Sequence, residues 1–390
     1  MRGTPSLIRK INRSNIIGLI QKRGSLSRSE ISRISGLSLP SVSRIIDSLI
    51  QEGILKEIGK GKSLRGKKPL LIDINSDHQY VFGVEISRKG QIILCNLTGK
   101  VLRREQYFPD PSQGPLSIAN QLSKKITQLS HSLNLLPNKI AGVGIGTPGF
   151  LFKAGPLISQ SPFFGWNSIN AVEIFEKSFP YPVIVENVAK ASAIAEKMYG
   201  YGKQFDNFFY IFTDWGVGGG FFTGGALYRG INGNAGEFGH TIIEQNGVPC
   251  YCGNLGCLEQ YTSTDAIVRE ARSFNKNIKD FDSVMNAFQL DDSKIIALIK
   301  KSGEILGKGV ANIINLLNPE AIIIGGEIAR KCPIYIQSAI EQARGAVFSL
   351  EARKTPVITS QLGEEAVAMG MASEVISRFI NGNLPIKREE

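Results

Sequence analysis

His240, Cys250, Cys252 and Cys257 carry the strongest chemical signal in this sequence, spaced His-x9-Cys-x-Cys-x4-Cys. One imidazole and three thiolates form the donor set of a closed tetrahedral zinc site. Three of the five cysteines fall within eight residues, which reads as metal ligation in a reducing compartment rather than disulfide pairing. Gly253 and Gly256 let the chain turn tightly around the metal. Four protein ligands leave no position for water, so the zinc is expected to be structural and not catalytic.

Three glycine-rich turns add a second kind of chemistry. Residues 142–149 (GVGIGTPG), residues 214–220 (DWGVGGG) and Gly325-Gly326 each follow or flank a strand-like run. Glycine there lets backbone approach a ligand closely. Several such turns at strand ends of an α/β chain predict a cleft for a small polar or phosphorylated ligand.

The run Gly236-Glu237-Phe238-Gly239-His240, the three cysteines and Cys257-Leu258-Glu259 resemble the signature of the ROK family of repressors, open reading frames and sugar kinases. Trp166-Asn167, Glu186-Asn187 and residues 317–326 (LNPEAIIIGG) fit in the same order, so the resemblance covers roughly 81–390. It implies an actin-like (ribonuclease H-like) body of two lobes around a sugar cleft, assembled as a homodimer or homotetramer. It also implies sugar contacts from Asn167, Asn187, Glu237, His240 and Glu259. The family's catalytic aspartate falls on Val188, which cannot take a proton from an attacking hydroxyl. The first phosphate turn of the kinases appears as Glu85-Ile86-Ser87-Arg88-Lys89, where the new cations could meet an anion, and the second carries the bulky Trp215. These departures point away from phosphoryl transfer. Lys190, read as a solvated helix-surface lysine, leaves a phosphorylated effector open.

The elements that must position this chemistry divide the chain in two. Residues 1–80 hold 15 Lys and Arg against 6 Asp and Glu, and the other 310 hold 30 against 28. A basic head on a nearly neutral body is the electrostatic footprint of a nucleic-acid-binding module. Residues 14–23 read as a helix capped by Ser14, and residues 27–35 as a second helix. After the turn Gly36-Leu37-Ser38, a third helix is capped by the Ser38 hydroxyl. Val42, Ile45, Ile46 and Leu49 follow helical spacing, leaving Ser41, Ser43, Arg44 and Ser48 outward. A purely structural bundle would clothe that helix with Glu and Lys. Small hydroxyls and one arginine suit an approach to base edges in a helix-turn-helix. A β-ribbon follows, with Lys60, Lys62, Arg65, Lys67 and Lys68 at its tip, as a wing for phosphates or the minor groove.

From residue 81 strands alternate with helices, the pattern of an α/β body. The small lobe is expected over about 81–188 plus a C-terminal helix at about 372–390, the large lobe over about 189–371. Neither an apolar span of membrane length nor a signal peptide is evident, which makes the cytoplasm the expectation. The reading is a sugar-responsive repressor with structural zinc, a sugar or sugar-phosphate effector and an inverted-repeat double-stranded DNA operator. The alternatives are an ATP-dependent sugar kinase of the ROK hexokinase type with a DNA-binding appendage, and a repressor controlled by a protein partner.

Overall fold

A computed structural model describes residues 5–60, 69–149, 157–161 and 164–385. The head comprises α1 (Pro5–Arg23), β1 (Leu26–Ser27), α2 (Arg28–Ser35), α3 (Leu39–Gln51), β2 (Leu55–Lys60) and β3 (Leu70–Ile74). Its three strands pair antiparallel in the order β1-β3-β2. The apolar faces of the three helices meet here: Ile16, Ile17, Ile20, Ile31, Val42, Ile46 and Leu49 are all buried, and Ile45 is half-buried. Ser27 and Glu30 form a reciprocal capping box at the start of α2. Two expected caps do not form. α1 begins nine residues before Ser14, whose hydroxyl instead bonds Asn381 Oδ1 at 2.5 Å. The Ser38 side chain makes no capping bond; its oxygen meets Ser41 Oγ at 2.9 Å.

The small lobe follows with β4 (Tyr80–Glu85), β5 (Gly90–Asn96), β6 (Val101–Tyr107), α4 (Pro115–Ser132), β7 (Ile140–Thr147), β8 (Leu157–Ser161), β9 (Trp166–Asn170), α5 (Ala171–Ser178) and β10 (Val183–Asn187). Its main sheet runs β10-β7-β4-β5-β6, with β8 and β9 as a separate hairpin. α6 (Val188–Tyr199) leads to the large lobe with β11 (Phe208–Thr213), β12 (Val217–Thr223) and β13 (Ala226–Tyr228). Helices α7 (Glu259–Thr262), α8 (Thr264–Phe274), α9 (Phe281–Gln289) and α10 (Ser293–Leu317) come next. The lobe is completed by β14 (Ala321–Gly325), α11 (Glu327–Lys331), α12 (Pro333–Ala346) and β15 (Val357–Thr359). Its sheet runs β13-β12-β11-β14-β15. Residues 264–317 thus form three helices, because Asp280 and Asp292 each cap a new start.

The last helix, α13 (Ala366–Ile380), returns to the small lobe and packs on β4, β7 and α6. The approach is backbone-close: a Cβ at Gly370 would stand 1.8 Å from Ala191 O, and one at Gly83 2.0 Å from Ala368 O. The core of the head continues without a break into this helix, joining Ile16, Ile20 and Ile74 to Leu97, Val375, Ile376 and Ile380. Arg13 fastens the same seam. Its guanidinium holds Glu52, at the end of α3, through two bonds of 2.6 Å, and the Ile380 carbonyl through two bonds of 3.1 Å.

Candidate functional site

The metal-ligating candidates converge on one loop. His240 ends a short helical turn, and Cys250, Cys252 and Cys257 lie on a knuckle held by bridges Ile242 to Cys257 and Pro249 to Leu255. Gly253 and Gly256 take φ of 93° and 76°, the left-handed region that favours glycine. The four ligand atoms lie within 4.8 Å of one another. Cys252 Sγ to Cys257 Sγ and Cys250 Sγ to His240 Nδ1 are both 3.6 Å. Ligands at 2.0–2.3 Å from a tetrahedral centre are about 3.5–3.7 Å apart, so donor set and spacing fit zinc. No S–S bond joins them. Burial, reinforced by the neighbouring thiols, pushes Cys257 far up, so its proton must leave when a cation binds.

His240 faces two ways. Nδ1 points to the sulfurs, while Nε2 lies 3.1 Å from the Tyr251 hydroxyl, on the side of an interlobe cavity of about 40 Å³. Asn187, Val188, Trp215, Glu237, Tyr251 and Glu259 line that cavity with it. Glu259, at the start of α7, accepts a 2.8 Å bond from Val217 N. Burial pushes the Glu237 and Glu259 carboxyls each up to about 7. Lys190 opposes the shift at Glu237. That lysine is not on a solvated surface: it is buried, with Nζ donating to Gly233 O at 2.5 Å. Asn187 caps α6 through Oδ1 and donates Nδ2 to Gly149 O at 3.0 Å, so its amide is already committed to shaping the cavity. Val188 is the next residue and is buried. Asn167 lies on β9 opposite Gln160; its side chain is outside the described residues.

Trp215 and Phe212 also wall a larger cavity of about 480 Å³ on the other side of the cleft. Arg88 and Lys89 reach it from the small lobe. Each meets a carboxylate of the large lobe: Arg88 binds Asp265 through two bonds of 2.6 Å, and Lys89 binds Asp282 at 3.2 Å. The cations that could have met an anion therefore already bridge the lobes. Burial, with Asp214 nearby, pushes the Glu85 carboxyl up to about 8. Burial, with Glu327 nearby, raises Asp214 to about 6.

On the head, Ser38 and Arg44 are exposed, while Ser41 and Ser43 are half-buried on α3. Arg28 ties α2 to Asp47 on α3 and to Glu57 on β2, fixing the third helix against the wing's base. Lys60 ends β2 opposite Leu70, with its side chain outside the described residues; Lys62, Arg65, Lys67 and Lys68 also lie outside them. Sequence reasoning missed Tyr251. The available signal was an aromatic residue between two cysteine ligands, where its backbone has little freedom.

A three-helix head with a β-ribbon, set on two lobes each built around a five-stranded sheet, defines a winged helix-turn-helix protein with an actin-like body. The chain belongs to the ROK family, which it matches over residues 81–378, and residues 9–56 match a winged helix-turn-helix DNA-binding domain. It is 30% identical over 377 residues to the xylose repressor of Bacillus subtilis (strain 168), covering 96% of this chain and 97% of that one. It is 29% identical over 396 residues to the DNA-binding transcriptional dual regulator NagC of Escherichia coli (strain K12), covering 98% and 96%. A solved ROK family transcriptional regulator, a homologue of the E. coli MLC protein, superposes with a TM-score of 0.81 at 25% identity, covering 96% of this chain and 98% of that one. Among the described residues no helix is long and apolar enough to cross a membrane.

Proposed function

We propose that this chain is a sugar-responsive transcriptional repressor in which residues 1–80 bind DNA and residues 81–390 form an effector-binding body without kinase activity. The observation that carries it is the cleft itself. Glu237, His240 and Glu259 face one cavity, yet the residue after Asn187 is a buried valine with no oxygen to accept a proton. Similarity to a xylose repressor and to NagC supports a carbohydrate effector, and near-equal identity to the two favours neither sugar. Two buried carboxyls at the cavity favour an uncharged sugar over a sugar phosphate. His240, Cys250, Cys252 and Cys257 hold structural zinc, which pins the loop carrying His240 and leads into Glu259. The protein acts in the cytoplasm as a homodimer or homotetramer on an inverted-repeat operator. Sugar binds the two lobe arrangements with different affinity and so shifts the separation of the paired recognition helices.

A thermal-shift screen of a sugar panel, followed by footprinting on the gene's upstream region with and without the hit, tests this reading. A stabilising sugar that alters the footprint is expected, and no sugar should stimulate ADP release. Sugar-dependent ATP turnover would favour the kinase alternative. A footprint indifferent to every sugar would favour control by a protein partner.

A further inference from the structure

We propose that Tyr251 decides which carbohydrate the cleft admits: its hydroxyl holds the place of a sugar hydroxyl on His240, and its ring closes the cavity against bulky ring substituents. This rests on the effector reading above. The Tyr251 hydroxyl lies 3.1 Å from His240 Nε2, and the Glu259 carboxyl lines the same cavity. The two rings meet edge to face, with centroids 5.2 Å apart. A cation on Nδ1 leaves the imidazole proton on Nε2, which donates to the phenol oxygen. The hydroxyl thus satisfies the imidazole N–H that a sugar hydroxyl would engage.

The cavity is too small to take a sugar as it stands. Its volume of about 40 Å³ holds about three waters at 10–15 Å³ each, less than a monosaccharide ring. Something must move, and most of the wall is fixed. Asn187 caps α6 and is tied to Gly149, Val188 is buried, and residues 217 and 218 are paired within a sheet. Tyr251 differs: it is 38% exposed, and its side chain is held through its hydroxyl at His240 and its ring edge rather than by helix or sheet backbone. Rotation of its side chain opens the cavity without disturbing the sheet. An entering sugar then exchanges one hydrogen bond on His240 for another, so binding turns on fit rather than on a bond gained.

The test is calorimetric titration of the full-length, zinc-loaded chain with an aldopentose (xylose), an aldohexose (glucose) and a 2-acetamido hexose (N-acetylglucosamine). Wild type, Tyr251→Phe and Tyr251→Ala are compared. In Tyr251→Phe the sugar no longer displaces a bonded hydroxyl, so the preferred unsubstituted sugar should bind about 3- to 10-fold tighter, with the order of preference kept. In Tyr251→Ala the gap between that sugar and N-acetylglucosamine should narrow by about tenfold or more. A purely structural role would weaken all three sugars alike and lower zinc content or the ligand-free melting temperature. Sugar binding to wild type, with Tyr251→Phe no tighter and the ratio unchanged in Tyr251→Ala, would overturn the gate and leave the effector reading standing. No binding of any sugar by wild type or either variant would overturn both.

Discussion

Changing Arg13 to alanine should disconnect the DNA-binding head from the sugar-binding body without unfolding either. Arg13 sits where α1, the end of α3 and the end of α13 meet, and its guanidinium is mostly covered, at 18% side-chain exposure. Its pair with Glu52, itself 41% exposed, contributes at most about 1 kcal/mol after solvent screening. Its charged donation to the Ile380 carbonyl adds about 1.5 kcal/mol, at the low end for such bonds because the acceptor is a terminal helix carbonyl. Together these approach 2–2.5 kcal/mol, comparable to the ~1–3 kcal/mol typical of coupling between two sites. The apolar seam through Ile20, Ile376 and Ile380 remains, so head and body stay folded. Fluorescence-anisotropy titrations of a labelled operator, with and without saturating sugar, read the effect directly. In Arg13→Ala the two affinities should converge, while the body's sugar affinity measured by calorimetry stays as in wild type. An unchanged sugar effect on operator affinity would refute the reasoning, because the polar link would then carry none of the coupling.

Fresh, unchelated protein should contain one zinc per chain, and Cys252→Ser should lower both zinc content and melting temperature; metal analysis well below stoichiometry would remove the zinc site. Arg44→Ala should weaken specific operator binding by about 1–3 kcal/mol and relax preference at one position per half-site, as read by anisotropy on operator variants. Removing a phosphate-contacting lysine among Lys60, Lys62, Lys67 and Lys68 should weaken all sequences alike and reduce the salt slope by about one unit. At Glu85, burial holds a proton up to about pH 8 that the unfolded chain releases near 4.5, so stability is lost as pH rises through that window. Glu85→Gln should therefore change the melting temperature little at pH 4 and raise it clearly at pH 8; an equal shift at both would contradict the buried-proton assignment.

Local pattern and residue type were legible before any fold was known. The stripe Val42, Ile46, Leu49 produced a buried face because helical period alone places those residues together. The spacing of His240, Cys250, Cys252 and Cys257 marked a candidate metal-ligand cluster because its members lie within a stretch of 18 residues and two glycines turn the chain. Val188 could be read as the loss of a base because chemistry follows from side-chain identity. Other features depend on segments far apart in the chain. Ser14 is not a cap because Asn381, 367 residues away, takes its hydroxyl. Arg88 and Lys89 bridge the lobes because Asp265 and Asp282 of the opposite lobe reach them. Lys190 is buried because the loop at Gly233 folds over α6, and Tyr251 enters the cleft because the knuckle is anchored beside β12. Local spacing fixes a residue's neighbours within a turn or two; burial and long-range pairing are set by which surfaces the fold presses together, and no local period encodes that.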